Sequence, residues 1–386
     1  MRYPSVLVFY LSTVSYFFTF VLYLVHSVLR SSLPDLSPSP PSLKGRGNAP
    51  PTLGEGPGER LLGVIAPSAS WNLSAIAWGV WATRALVVSV VIATAGVIAR
   101  AIELGNASQW VKVFLLPLST TYETLTFFAW LIALIYLIVE RRFQIQQVGV
   151  FVTGAAFVML AVAASPSFAP SAPTGVPASL QSYWLTIHVL FMVLGIALFT
   201  SGFGATLVYL WRRYEKKLFL LFGALLAVIA ATILIVIPLF ATLQPAKMLA
   251  SVALLIALGA GFGGLLLFVH REGNPIAWER LEAVEEMVYR CNALGFPFYA
   301  IGGLVFGGIW AEQAWSRYWG WDPKETAMLV TALVYAVYLH ARLTWGARDP
   351  GWRGGLVAWL SVLGYLAVLY AWIGINYFVA SLHSFV

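Results

Sequence analysis

The sequence is poor in charge. Asp, Glu, Lys and Arg make up 10% of its 386 residues against 60% hydrophobic ones, at a mean hydropathy of +0.82. Soluble domains carry about 25% charged residues, so this composition excludes an ordinary soluble fold. A single cysteine, Cys291, excludes an intramolecular disulfide and CxxC redox chemistry, so any thiol-reducing step belongs to other proteins acting indirectly. Apolar and polar residues do not alternate in segments of about ten, which argues against a β-barrel. No internal repeat of the kind that marks inverted-repeat transporters is present, which weighs against a generic secondary carrier. Histidine is scarce as well: the five are His26, His188, His270, His340 and His383.

What fills the chain instead is a series of apolar runs, each long enough to cross a hydrocarbon core of about 30 Å as a helix. They lie at 5–28, 82–102, 119–140, 147–166, 182–211, 218–242, 248–270, 293–312, 325–344 and 355–377. The expected fold is therefore all-α, a polytopic integral membrane protein of about ten transmembrane helices.

The net charge of +7 does not point to nucleic acid, because the basic residues sit in short clusters between apolar runs. With the N-terminus outside, every Lys and Arg falls on the inner side except Arg2, Arg100, Lys112, Lys247, Arg317 and Lys324. The positive-inside tendency then places both termini outside. The first run, 1–30, is read as a retained transmembrane helix: its apolar stretch is long for a signal sequence, and its charge follows at Arg30.

Residues 31–70, rich in Pro, Gly and Ser, are expected to form a flexible cytoplasmic linker. Helices two to five occupy 71–217, a hairpin of two spans 218–270, and the last three spans 271–386. The charged stretch from Arg271 to Arg290 reads as an amphipathic connector.

The most unusual segment crowds Trp310, Trp315, Trp319 and Trp321 among Glu312, Arg317, Asp322, Lys324 and Glu325, on the expected outer side. On composition, an interfacial aromatic belt and a ligand platform stand on equal footing. A flat aromatic surface flanked by cations suits a planar apolar ligand bearing carboxylates, as heme bears its propionates. Histidine placement favours the platform. His188, in the first turns of the fifth run, and His383, just past the last, fall on the same side as the tryptophans, and paired imidazoles are a common axial set for heme iron. His340, about 18 residues into its run, and His26, near the end of the first, lie at similar depth toward the inner side. Ionisable residues at membrane depth are candidate functional groups. An inner heme held by His340, with His26 or a partner's histidine opposite, is thus one possibility, while His270 reads as interfacial.

These residues carry a resemblance. Tyr289-Arg290, Gly295-Phe296-Pro297, Trp310-Ala311, Trp315, Trp319-Gly320-Trp321-Asp322-Pro323-Lys324-Glu325-Thr326 and Tyr338-Leu339-His340-Ala341-Arg342 resemble the tryptophan-rich WWD region of the CcsA/ResC cytochrome c biogenesis family. Pro117-Leu118-Ser119, Tyr122-Glu123-Thr124-Leu125, Ser182-Tyr183-Trp184, His188-Val189 and Leu382-His383-Ser384-Phe385 extend it over most of the chain.

The resemblance implies a multi-pass protein of the cytoplasmic (inner) membrane whose site faces the exterior. It implies heme b as substrate, with His188 and His383 on the iron above a surface formed by Trp310, Trp315, Trp319, Trp321, Asp322, Lys324 and Glu325. His340 matches the family's intramembrane histidine, whose counterpart comes from a CcsB/ResB-like partner, which makes His26 the lesser candidate. The implied product is a c-type cytochrome, made when the thiols of a CxxCH motif in apocytochrome c add to heme, so that the chain is a subunit of a holocytochrome c synthase. No separate general acid or base stands out, and Asp322 and Glu325 read as orienting the loop or meeting the cations that bind propionates. Three departures from the family pattern stand out: the 218–270 hairpin reads as an insertion, the 31–70 linker as an addition, and Val113-Phe114-Leu115-Leu116 stands where family members often carry a histidine. The competing readings are a heme-delivery protein of the other bacterial maturation route, an unrelated membrane transporter, and a quinone-linked cytochrome b subunit.

Overall fold

A computed structural model describes residues 3–31, 59–107, 118, 120–165, 169–172, 181–213, 278–345 and 352–375. The described chain is helical. Its elements are α1 (Pro4–Ser31), α2 (Glu59–Ala107), α3 (Thr121–Phe143), a 3₁₀ turn (Gln146–Val148), α4 (Gly149–Ala163), α5 (Tyr183–Arg213), α6 (Trp278–Ala300), a π-helical turn (Ile301–Phe306), α7 (Gly307–Trp315), α8 (Pro323–Trp345), α9 (Trp352–Leu369) and a second π-helical turn (Tyr370–Gly374).

Eight stretches among the described residues are long and apolar enough to cross a membrane, from Pro4–Leu29 to Gly355–Gly374. Each overlaps an expected run, but the one expected at 293–312 begins at Glu282, within the stretch read as an amphipathic connector. The expected spans 218–242 and 248–270 lie outside the described residues, as does linker segment 32–58. Within the stretch read as a linker, α2 already begins at Glu59.

Sequence periodicity explains how α1 docks. Ser5, Phe9, Ser12, Tyr16, Thr19, Tyr23 and His26 are buried, at alternating spacings of four and three, while Leu7, Leu11, Val14 and Phe18 are exposed. That is a heptad seam of small polar residues alternating with aromatics, turned inward, with an apolar stripe turned outward. Small residues let helices approach and hydroxyls bond across the seam. Ser89 of α2 meets Ser15 at 2.7 Å and Thr19 at 2.9 Å.

Polar groups are thus paired inside an otherwise apolar core, while large apolar side chains also line the outer faces. Arg100 and Glu123, both without solvent exposure, pair at 2.9 Å between α2 and α3. Arg100 also reaches Glu103 at 3.3 Å, and Glu103 accepts the backbone N–H and the hydroxyl of Ser5 in α1. In the second half of the fold, Asn292 donates to Ser361 at 2.9 Å and Ser361 meets Thr206 at 3.0 Å, tying α6, α9 and α5 together in the core. Helices α1 to α4 pack on one another, α5 packs along α6, α8 joins α9 and α6, and α3 with α4 contacts α5 to unite the two groups.

The α5–α6 contact is unusually close. A Cβ on Gly195 would stand 2.8 Å from the backbone nitrogen of Tyr299, and one on Gly302 would stand 2.8 Å from Cβ of Phe191. Only glycine lets these backbones meet, and that contact brings the tryptophan segment against α5.

Candidate functional site

The site is built where α6 stops being an ordinary α-helix. Pro297 lies inside α6 and has no N–H to give to the preceding turn. Four residues later the chain widens into the π-helical turn, where the N–H of Gly307 donates to the carbonyl of Gly302, five residues back. Single π-turns of this sort frequently mark functional positions.

His188, in the second turn of α5, lies over this turn. Its Nδ1 is 2.7 Å from the carbonyl oxygen of Gly302. Its ring is within 10° of parallel to that of Trp310, with centroids 6.1 Å apart. Trp310 is buried, and Trp315 meets it edge-on at 4.8 Å. On the same face of α5, one turn to either side of His188, Trp184 lies 5.9 Å and Phe191 4.9 Å from Phe306. The half-buried imidazole therefore sits in an aromatic wall contributed by two helices. The start of α5 is tied to α7 by Ser182, whose hydroxyl donates to Gln313 at 2.8 Å while accepting the N–H of Trp184.

After Trp315 the helix ends at Ser316, in the left-handed region (φ 55°), and the loop runs to Trp321, also left-handed (φ 56°). Trp321 is 70% exposed and lies edge-on to the half-buried Trp319 at 5.7 Å. A positive φ on a bulky residue is strained and needs support from its surroundings.

The support comes from Asp322-Pro323-Lys324-Glu325, which starts α8. Asp322 is the N-cap, with its carboxylate accepting the N–H of Lys324 at 3.1 Å. Pro323 takes the first helical position, where a missing N–H costs nothing. Glu325 closes the box, accepting the N–H of Asp322 at 3.1 Å and that of Gly320 at 2.8 Å. Both carboxylates are buried in this arrangement and hold the backbone on either side of Trp321. The guanidinium of exposed Arg317 folds over Gly320, where an added Cβ would come within 2.7 Å of it.

The expected site residues thus separate into groups. His188, Trp310 and Trp315 are together, while Trp319 and Trp321 sit in the adjoining loop above the cap formed by Asp322, Lys324 and Glu325. His383 lies outside the described residues. His340 lies on α8, about 25 Å from Pro323 at 1.5 Å per residue. It is exposed, on a stripe shared with exposed Val330, Leu333 and Val337. His26 is buried on the other side of the fold, its Cε1 3.0 Å from where a Cβ of Gly79 would be. Since α1 packs on α2 and α4 while α8 packs on α9 and α6, the fold does not bring His26 and His340 together.

Reading the residues one by one missed Phe306 and the backbone of Gly302, and it noted Arg317 and Trp184 without setting them beside His188 or Gly320. The run Gly302-Gly303 followed by Gly307-Gly308, shortly after a proline, was the available signal for a broken helix.

A half-buried imidazole backed by tryptophan, beside an exposed tryptophan loop bearing a cation, on a polytopic all-α frame: this is a membrane protein with an aromatic-walled histidine as its candidate site. The chain belongs to the family of cytochrome C assembly proteins, whose model matches residues 118–383. It is similar to the cytochrome c biogenesis protein CcsA of Synechococcus sp. (strain JA-2-3B'a(2-13)), at 32% identity over 85% of this chain and 94% of that one. It is also similar to the CcsA of Crocosphaera subtropica, at 33% over 72% and 82%, respectively. To the CcsA of Chlamydomonas reinhardtii it is 31% identical over 72% of this chain, which spans 63% of that protein's length.

Proposed function

We propose that this chain works in cytochrome c biogenesis by binding heme b and presenting it at the outer face of the membrane for attachment to apocytochrome c. The observation that carries this reading is His188, set in an aromatic wall beside the tryptophan loop, in a chain of this family.

The residues fit the group. An imidazole whose Nδ1 is engaged by a carbonyl has Nε2 left to bind iron. Trp319 and Trp321 offer aromatic surface to a macrocycle, and Arg317 offers a guanidinium to a propionate. His383, close after the last span, is the second iron ligand in this reading. Asp322 and Glu325 do not handle protons; they hold the loop that carries the tryptophans.

Held this way, heme would present its vinyl edge to a CxxCH peptide, each cysteine sulfur bonding one vinyl carbon while its proton goes to the neighbouring carbon. Positioning is the chain's main contribution. The acceptor's own histidine then displaces His188 or His383 from iron, which favours release of product.

His340 belongs to a second location. An imidazole exposed on an apolar helix face is expensive in lipid, so this face suits a partner helix, and a CcsB/ResB-like membrane protein would supply the opposing histidine.

The test is coexpression with a CcsB-like protein and an exported CxxCH reporter, scored for covalent heme. Wild type should load the reporter, and replacing both His188 and His383 with Ala should abolish loading and remove bound heme from the purified protein. Unchanged heme occupancy and spectrum in the double variant would overturn the assignment. Heme passed to a separate carrier without reporter loading would favour the delivery protein of the other maturation route.

A further inference from the structure

We infer that Gly302, Gly307 and Trp310 are positioning residues that select which nitrogen of His188 binds iron and fix the plane of its ring, an inference that rests on the heme reading above.

A carbonyl oxygen can only accept, so the 2.7 Å contact between Nδ1 of His188 and the oxygen of Gly302 places the ring proton on Nδ1. The lone pair is then on Nε2. The acceptor is a backbone group inside a π-turn, and it reaches His188 because Gly302 rests on the backbone of α5, where its own Cβ would come within 3.0 Å of the nitrogen of Met192.

Two further contacts close on the ring. A Cβ at position 307 would stand 3.0 Å from both Cε1 and Nδ1 of His188, so the absence of a side chain there is what leaves room for the imidazole. Trp310 lies offset and nearly parallel to it, buried to 2% exposure, and is itself braced by Trp315. A tryptophan so enclosed has no face to offer a ligand. It acts through His188, whereas Trp319 and Trp321 are the members of the segment placed to touch one.

The arrangement has a chemical consequence. An imidazole that donates Nδ1–H to a carbonyl is a stronger base at Nε2, and such outer partners tune the metal and hold the ring's orientation. For heme iron this favours the ferric form and lowers the reduction potential. Loosening the hydrogen bond or the stack should therefore raise the potential even where heme remains bound.

The experiment uses the full chain purified with its membrane partner and bound heme, comparing wild type, Gly307→Ala, Trp310→Leu, Trp310→Phe and His188→Ala. Gly307→Ala and Trp310→Leu are expected to raise the potential of the His188-dependent heme, or to lose that heme and regain it with free imidazole. Trp310→Phe, which keeps an aromatic face, should stay nearer wild type. Heme unchanged by His188→Ala would sink the heme reading itself. If His188→Ala removes the heme signal but Gly307→Ala and Trp310→Leu keep wild-type potential and spectrum, the positioning role is wrong. Should Gly307→Ala fail to fold, the comparison of Trp310→Leu with Trp310→Phe decides.

Discussion

The carboxylate of Glu325 accepts the backbone N–H of Gly320, 2.8 Å away and five residues earlier, and so ties the first turn of α8 to the loop that holds up Trp321. The same oxygen takes the N–H of Asp322 at 3.1 Å. Removing it leaves the partly buried N–H of Gly320 and the buried N–H of Asp322 without this acceptor, at about 1–3 kcal/mol for a buried unsatisfied group. Glu325→Ala should therefore lower thermal stability in detergent and cut reporter loading at least several-fold. Glu325→Gln, whose amide oxygen can still accept, should keep most of both. Equal loss in the two variants would show that the charge, not the cap, matters.

His188→Ala should lose the outer heme signal, and free imidazole should restore part of it by entering the space left by the ring. Absorbance titration with imidazole measures this. Failure at every concentration would mean that His188 is structural and not an iron ligand.

The Arg100–Glu123 pair has no solvent exposure on either side, and breaking such a pair costs about 3–5 kcal/mol because a charge is left buried alone. Arg100→Met should be strongly destabilising and should sharply lower the amount of protein in the membrane. Arg100→Met combined with Glu123→Gln should recover a large part of it, although Glu103, which Arg100 also contacts, limits the recovery. A double variant no better than the single would indicate that the two residues do not act as a pair.

Gly195→Ala drives a methyl group against backbone atoms of α6, 2.8 Å from the nitrogen of Tyr299 and 3.0 Å from the oxygen of Gly295. Backbone cannot step aside as a side chain can, so overpacking of about 1–3 kcal/mol is expected. The α5–α6 contact also carries His188 against Gly302, so heme affinity should fall along with the melting temperature. Stability lost with heme affinity intact would separate the helix contact from the site.

The membrane fold was legible because a span announces itself by composition over about twenty residues, and a helix satisfies its own backbone whatever surrounds it. The start of α8 has a similarly local signal in Asp322-Pro323-Lys324-Glu325, although the apolar run alone set that start at 325 and left the cap unread. The tryptophan segment was visible as one cluster, yet it is not one surface. Trp310 is enclosed while Trp321 is 70% exposed, and the difference arises from left-handed turns at Ser316 and Trp321 that nothing in a tryptophan count reveals. Arg100 was counted by sidedness as an outer charge; its burial with Glu123 depends on how α2 meets α3.

By itself, then, the sequence determined what depends on local chemistry: an all-α chain, the approximate positions of its described spans, and His188 with the tryptophans as the candidate residues. The tertiary structure decided what depends on two distant segments meeting. It put His188 over the carbonyl of Gly302, 114 residues away, and Arg100 on Glu123, and it set His26 and His340 on separate flanks. The physical reason is that a helix specifies its own hydrogen bonds, whereas the partner of each buried polar side chain is chosen only when glycines, seams and π-turns have fixed which helices touch.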